Sequence, residues 1–162
     1  NNNNRRPLDE KSIDKKIEEI YAKERPDKII CLGDLYYHGP RNELTLEYSP
    51  MEVAKVLNSL KERLIVLRGN CDAQVDEAIS EFKFEENNMD NMPPVGIDID
   101  IMIYGHFHIG FIEEENGVIF ANPGSISLPR EKSEHSYLIM EQNELILKNV
   151  DGKVLKRYEL QK

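Results

Sequence analysis

The sequence predicts an α/β fold in which a parallel sheet carries a functional site at the carboxyl ends of its strands. Two short apolar runs, residues 28–32 and 63–67, lead into Gly33-Asp34 and Arg68-Gly69-Asn70, and an amphipathic segment separates them. Strand, helix and strand in this order indicate a βαβ unit with parallel strands. A third apolar run, residues 97–103, leads into Tyr104-Gly105-His106-Phe107-His108. Polar residues at three strand ends favour a site at one sheet edge.

Composition limits the function classes that fit. Of the 162 residues, 40% are hydrophobic and 31% charged, and the formal net charge is -9. This charge disfavours nucleic acid as a partner, because Lys and Arg make most phosphate contacts. No apolar stretch is long enough for a bilayer, so no membrane partner is expected. With two cysteines and no signal peptide, the sequence predicts a cytoplasmic protein.

The first part of the chain predicts a helix, a strand and a second helix. Residues 1–11 are polar and are interpreted as a disordered tail or the remnant of an expression tag, which leaves residues 12–162 as a single domain. Helical spacing of apolar residues predicts a helix that Pro26 ends. Ser49, Pro50 and Glu52 predict a capping box at the start of the second helix. A short third helix is expected over residues 75–82, followed by a loop over 81–94.

The last third of the chain predicts antiparallel strands. Asn116-Gly117 is typical of a two-residue hairpin turn between residues 109–113 and 118–121. Residues 136–140, 144–150 and 154–160 predict a three-stranded meander. We expect Gly105 to provide the sharp turn after its strand and residues 122–125 to form a structural turn. His135 is predicted at the surface and Cys31 in the core.

Metal-competent side chains follow three of the predicted strands. They are Asp34, Asn70, His106 and His108. Oxygen and imidazole donors without thiolate favour Mn²⁺, Fe²⁺, Mg²⁺ or Zn²⁺. Two such ions about 3.5–4 Å apart need a bridging carboxylate, for which Asp34 is the candidate, and they turn bound water into hydroxide beside a phosphoryl group. Bound cations would also allow an acidic protein to attract a phosphate ester.

These motifs resemble a known family. Gly33-Asp34, Gly69-Asn70-Cys71-Asp72 and Gly105-His106-Phe107-His108, each after a strand, are similar to those of the calcineurin-like metallophosphoesterases. Residues 38–42, the Asn-Cys-Asp triplet and residues 122–125 resemble its small bacterial and archaeal phosphodiesterases. The resemblance covers residues 13–160. It implies a four-layer α/β/β/α sandwich and two divalent metal ions, manganese first, with iron, magnesium, zinc or nickel as alternatives.

The resemblance also implies a role for each site residue. Asp34 would bridge the two ions, Asn70 and His106 would bind one of them, and His108 the other. Asn70, Cys71 and Asp72 form the predicted catalytic group. Cys71 stands where the family often has a proton-donating histidine. Because Cys is a poorer proton donor, Asp72 is expected to orient Asn70 or its backbone. In the loop, His38 and Arg41 would contact substrate phosphate, or would be solvated residues.

The sequence departs from the family pattern in two places. The family's first strand ends in Asp-x-His, and a second Gly-His precedes the Gly-His-x-His turn. Residues 1–11 and 81–96 contain neither motif. One ion would then keep only Asp34 and His108. Either these segments are missing from this sequence or the protein has lost the ligands. The first explanation is favoured, because a sheet without its first central strand would leave an apolar seam and unpaired backbone groups.

Two functions from different classes therefore remain. The first is a metal-dependent phosphodiesterase that hydrolyses a small-molecule phosphodiester through a dinuclear centre. The alternative is a non-catalytic scaffold of the same fold, as in the retromer subunit that is similar to this family. The sequence does not determine the natural substrate, the native metal or the oligomeric state. A homodimer through sheet edges is compatible with it.

Overall fold

The computed structural model describes residues 10–36, 49–86 and 101–160. These residues divide into two compact units, a first unit drawn from residues 9–95 and a second unit drawn from residues 96–162. The single domain predicted from chain length stays a prediction. Within the described ranges, none of the helices combines the length and the apolarity that crossing a bilayer requires.

The first unit contains a three-stranded parallel sheet and three helices. In chain order the elements are α1 (Glu10–Glu24), β1 (Ile29–Cys31), α2 (Pro50–Ser59), β2 (Leu64–Leu67), α3 (Gln74–Ala78) and β3 (Phe84–Glu85). The strand order is β1-β2-β3, and both pairings are parallel. The predicted βαβ unit is thus confirmed. The predicted loop over residues 81–94 is wrong at Phe84 and Glu85, where two residues are too few to show a strand period.

One face of this sheet packs against α2. The buried residues of this core are Tyr36, Val53, Ala54, Leu57, Val66 and Phe84. Val53, Ala54 and Leu57 recur at helical spacing on α2, which explains why an amphipathic helix forms there. On the strands, Ile30 lies opposite Ile65 in the parallel register, and both side chains are exposed, Ile30 to 61%.

The predicted capping box of α2 is wrong, although the helix begins where predicted. The Ser49 side chain makes no capping hydrogen bond, and its backbone angles are φ −139° and ψ 73°. This ψ lies outside the extended range in which a serine oxygen reaches the first-turn N–H groups. Its carbonyl instead accepts the N–H groups of Glu52 at 3.0 Å and Val53 at 3.4 Å. Pro50 still occupies the first turn, where its missing N–H costs nothing.

The second unit consists of two three-stranded sheets around one core. β4 (Ile101–Ile103), β5 (Gly110–Glu115) and β6 (Val118–Pro123) have the order β4-β6-β5, with β4 parallel to β6. The predicted hairpin joins β5 to β6 through Asn116 and Gly117, which both have positive φ. The predicted meander is β7 (Ser136–Glu141), β8 (Glu144–Asn149) and β9 (Val154–Glu159). Residues 97–100 of the predicted strand lie outside the described residues.

Apolar side chains from both sheets fill the core of the second unit. The buried members come from β5, β6 and β8, and they are Ile112, Ile119, Ala121, Leu145 and Leu147. On β6 the buried Ile119 and Ala121 alternate with the less buried Val118 and Phe120, as expected for a strand with one covered face. Asn122 and Pro123 are the last two residues of β6 and pair with Phe111 and Gly110 of β5.

Cys31 ends β1 and packs against the core of the first unit, as predicted. Burial raises the pKa of this thiol to about 12, and the nearby Asp72 carboxylate adds to the shift. Cys31 is therefore a protonated, unreactive thiol at neutral pH.

We expect Cys31 to make the protein less stable as the pH rises from about 9 to about 12. In this range the unfolded chain releases the Cys31 proton while the folded chain keeps it. The free energy of unfolding therefore falls by up to about 1.4 kcal/mol per pH unit. Urea unfolding at pH 8 and pH 10 measures this loss. Cys31→Ala should lose roughly 1 kcal/mol less than the wild type between these pH values; an equal loss would contradict the assignment.

Candidate functional site

The loops that follow β1 and β2 approach so closely that only glycine fits at two positions. A Cβ atom on Gly33, which has a φ of +92°, would lie 2.2 Å from the backbone nitrogen of Gly69. A Cβ on Gly69 would lie 2.2 Å from Oδ1 of Asp34. Real Cβ contacts are never this short, so both side chains must be absent. The two glycines therefore allow Asp34 to lie against the loop that carries Asn70.

Asp72 holds these two loops together. Its Oδ2 accepts the backbone N–H groups of Asp34 and Gly69, both at 2.8 Å, and its Oδ1 accepts that of Leu35 at 3.0 Å. In return, Oδ1 of Asp34 accepts the N–H of Cys71 at 2.8 Å. Each loop thus supplies a carboxylate to the backbone of the other. Charged acceptors make such hydrogen bonds strong, so the position of Asp34 is well fixed. The expectation that Asp72 orients Asn70 or its backbone stays a prediction, since these contacts reach the backbone of Asp34, Leu35 and Gly69.

Asn70 and Cys71 lie next to each other at the end of this loop. The Asn70 side chain is exposed and donates a hydrogen bond from Nδ2 to Sγ of Cys71 at 3.3 Å. Burial raises the pKa of the Cys71 thiol, and the Asp34 carboxylate raises it further through its charge and a hydrogen bond. Cys71 therefore keeps its proton at neutral pH. A protonated thiol can donate a proton but is a weak nucleophile.

The segment after β4 makes a three-residue turn centred on His106. The N–H of Phe107 bonds to the carbonyl oxygen of Gly105 at 2.9 Å, and His106 has a φ of 70°. A γ-turn with positive φ at its centre is rare and strained. The expectation that Gly105 provides the turn is wrong, because the left-handed residues are His106 and His108, at φ 60°. Histidine tolerates this conformation better than most residues.

Asn122 supports this turn from below. It is fully buried, donates from Nδ2 to the Gly105 carbonyl at 2.9 Å, and accepts the Gly124 N–H on Oδ1 at 2.9 Å. Both ends of the amide are satisfied, so the side chain links the turn after β4 to the turn after β6. The interpretation of residues 122–125 as a turn is wrong at Asn122 and Pro123, which are paired strand residues, and the left-handed backbone comes after them, at Gly124 with φ 78°.

The imidazole of His108 has a defined tautomer. Its Nδ1 lies 2.7 Å from the carbonyl oxygen of Leu128. A carbonyl oxygen only accepts, so Nδ1 carries a proton, and in the neutral ring Nε2 carries the lone pair. Metal-binding histidines commonly have this arrangement, in which a backbone carbonyl orients the ring. The His108 carbonyl also accepts the N–H of Arg130 at 3.1 Å, so the same loop holds the backbone and the ring.

The surface position predicted for His135 is wrong, because its side chain is only 1% exposed. Its Nδ1 lies 2.7 Å from the Ile126 carbonyl, and its own carbonyl accepts the Val150 N–H at 2.9 Å. His135 thereby fixes the loop that carries Leu128 and orients His108. Its neighbours Glu134 and Ser136 suggest a surface segment, and no local pattern reveals that the ring binds the carbonyl of Ile126, nine residues earlier in the chain.

The predicted ligands lie on both units. Asp34 and Asn70 belong to the first unit, and His106 and His108 to the second. Individually, the carboxylate, the amide and the imidazole with a fixed Nε2 lone pair fit a hard or borderline divalent ion. In the ranges that the structure describes, however, no three His, Cys, Asp or Glu side chains form a group that could hold a metal. His38 and Arg41 lie outside the described residues.

Comparisons with known proteins agree with the sequence interpretation. The family model described as calcineurin-like phosphoesterase matches residues 9–158. Phosphodiesterase YfcE of Escherichia coli K12 is 30% identical over 149 residues, which cover 80% of each chain. A solved structure of YfcE, a phosphoesterase from E. coli, has a TM-score of 0.83 at 24% identity and 93% coverage of both chains. A predicted phosphoesterase from Streptococcus pneumoniae TIGR4 has a TM-score of 0.53 at 17% identity, with 90% of both chains covered. The predicted metallophosphoesterase-type α/β fold is confirmed.

Replacing Asp72 should be far more damaging than replacing another aspartate that binds backbone. Asp72→Ala leaves three partly buried N–H groups without their acceptor, and we expect a loss of about 2–4 kcal/mol in the free energy of unfolding. Asp76→Ala is the matched control, because Asp76 accepts one exposed N–H, that of Ala73, and should cost about 1 kcal/mol. Urea unfolding measures both. Equal losses would show that Asp72 does not hold the two loops.

Two glycine substitutions separate crowding from backbone strain. Gly69→Ala forces Asp34 to move, and we expect a loss of about 2–3 kcal/mol together with weaker Mn²⁺ binding. In Gly117→Ala nothing lies within 4 Å of the new methyl group. The free energy of unfolding should fall only by the cost of alanine at a φ of +80°, about 1 kcal/mol. Denaturant unfolding and Mn²⁺ titration provide the comparison. Unchanged Mn²⁺ binding in Gly69→Ala would contradict the proposed role of this contact.

Proposed function

The chain belongs to the calcineurin-like phosphoesterase family, and we propose that it is a metal-dependent phosphodiesterase acting on a small-molecule phosphodiester. Its similarity to Phosphodiesterase YfcE, 30% identity over 80% of both chains, supports phosphoester hydrolysis. The observation that carries the metal dependence is His108, whose ring is oriented by the Leu128 carbonyl with the Nε2 lone pair available. We also propose a cytoplasmic location.

The proposed centre holds two divalent ions, with Mn²⁺ the first candidate and Fe²⁺, Mg²⁺, Zn²⁺ or Ni²⁺ the alternatives. Asp34 would bridge them, Asn70 and His106 would bind one ion, and His108 the other. Asp34, His106 and His108 all have left-handed backbone, at φ 56°, 70° and 60°, which agrees with this assignment, although five other non-glycine residues in the described ranges share the conformation. Such strain costs of order 1–3 kcal/mol per residue and concentrates at functional sites. The net charge of -9 gives a second reason, since an anionic substrate needs positive charge.

The residues of the chain position the atoms that would bind the ions. When bound, the ions would activate water and neutralise charge on the phosphoryl oxygens. Asp72 fixes the backbone at Asp34, so this carboxylate keeps its place while charge changes near it. Asn70, Cys71 and Asp72 are proposed to form the catalytic group, in which the Cys71 thiol keeps its proton at neutral pH and is a poor proton donor. His38 and Arg41 are proposed to contact the substrate phosphate.

A non-catalytic scaffold is the second candidate function. The observation that favours it is that, in the described ranges, no three acidic, cysteine or histidine side chains form a metal-holding group. The absence of the second Gly-His motif from residues 81–96 points the same way. On this alternative, the left-handed backbone at Asp34 and the two histidines would serve no ligand role.

Two matched histidine variants test the proposal. Both His108 and His135 place Nδ1 against a carbonyl of the same loop, and asparagine can replace that N–H donor without supplying Nε2. We expect His108→Asn to lose bound Mn²⁺ and at least about a hundredfold in hydrolysis of bis(p-nitrophenyl) phosphate. His135→Asn should keep its bound metal. Metal content by mass spectrometry and rates before and after EDTA treatment are the measurements.

The outcomes separate the two functions. Equal metal content and rate in the wild type and His108→Asn would contradict the assignment of His108. If the wild-type protein neither retains Mn²⁺ nor hydrolyses any activated phosphodiester, the enzyme proposal fails and the scaffold becomes the better interpretation.

A further inference from the structure

Phe107 lies between the two histidines of the proposed centre, and its side chain is 54% exposed. The other large apolar side chains that are strongly exposed in the described residues are aliphatic or methionine, so Phe107 is the one ring among them. An exposed single apolar residue is ordinary. A phenylalanine directly between two proposed metal ligands is a different case, because a substrate held there must come near it.

The ring of Phe107 is held in place before any substrate arrives. It makes edge contacts with Tyr104, at a centroid distance of 5.9 Å and an angle of 80°, and with His106, at 5.7 Å and 76°. Tyr104 in turn contacts Phe111 at 5.8 Å and 67°. The Phe107 backbone is fixed by its hydrogen bond to Gly105. Edge contacts leave ring surface open, and a fixed ring loses little entropy when a ligand packs on it.

We propose, on the basis of the proposed function, that Phe107 is a specificity residue whose ring packs against a planar aromatic group in one ester of the phosphodiester. Phe107 is the neighbour of both His106 and His108 in the chain. The phosphate of a substrate bound at these two histidines would therefore lie near its ring. An alkyl ester gains little from such contact, whereas an aromatic ester stacks on it. Stacking of a base on an aromatic side chain changes affinity by about tenfold or more.

The test measures binding directly, so that it does not depend on turnover. Isothermal titration calorimetry of the Mn²⁺-loaded protein compares phenylphosphonate with ethylphosphonate, which share the phosphonate and differ in the ring. We expect phenylphosphonate to bind about tenfold more tightly to the wild type. Phe107→Ala should remove this preference, and Phe107→Tyr should keep it. Met140→Ala, which removes another exposed apolar side chain (57%) in the second unit, is the control and should also keep it.

A second pair of ligands identifies the source of the aromatic group. Thymidine 5′-phosphate and 2-deoxyribose 5-phosphate share the sugar and the phosphate and differ by the nucleobase. A wild-type preference for the first that Phe107→Ala removes supports a nucleotide ester, and a preference confined to phenylphosphonate supports an aryl ester. Equal affinities within both pairs, or a preference that survives in Phe107→Ala, would overturn the inference even if bis(p-nitrophenyl) phosphate is hydrolysed. Absence of both hydrolysis and phosphonate binding would overturn the proposed function and the inference together.

Discussion

The position of Asp34 and of the loop that carries Asn70 depends on the hydrogen bonds of the Asp72 carboxylate. A parallel sheet delivers two loops to one edge, but the sheet alone does not determine how the loops meet. Asp72 binds backbone N–H groups on both of them, and the paired glycines remove the side chains that would keep them apart. The functional side chain, Asp34, is thus positioned through its own main chain. Backbone hydrogen bonds to a carboxylate resist displacement better than contacts between flexible side chains.

In the second unit, the loops are positioned by an amide and an imidazole instead of a carboxylate. Asn122 and His135 are buried polar side chains that bind carbonyl oxygens of loops, and the Leu128 carbonyl in turn orients His108. Each buried polar group needs a partner, so these side chains permit few alternative loop conformations. The core of Ile112 and its neighbours stabilises the strands, while the buried amide and imidazole determine where the loops go.

Much of this architecture follows from the sequence because its signals are local. Strand ends at Asp34 and Asn70, the Asn116-Gly117 hairpin and the meander depend on periodicity and turn chemistry within about ten residues. The failures depend on distant partners. The burial of His135 is not apparent from its sequence neighbours, and β3, with two residues, is too short to show a strand period. The importance of Gly33 and Gly69 depends on the close approach of two loops that are far apart in the sequence. Gly105 suggested a turn, but the left-handed backbone is at His106 and His108. No sequence pattern predicts which residue of a turn takes a strained conformation.

The left-handed backbone at Asp34, His106 and His108 has a consequence for the divergence of this chain. Glycine and asparagine relieve such a conformation at little cost, whereas most other residues cannot adopt it easily. Glycine at any of these three positions would therefore relieve strain while removing a proposed metal ligand. Stability and the proposed ligand role thus favour different residues at Asp34, His106 and His108.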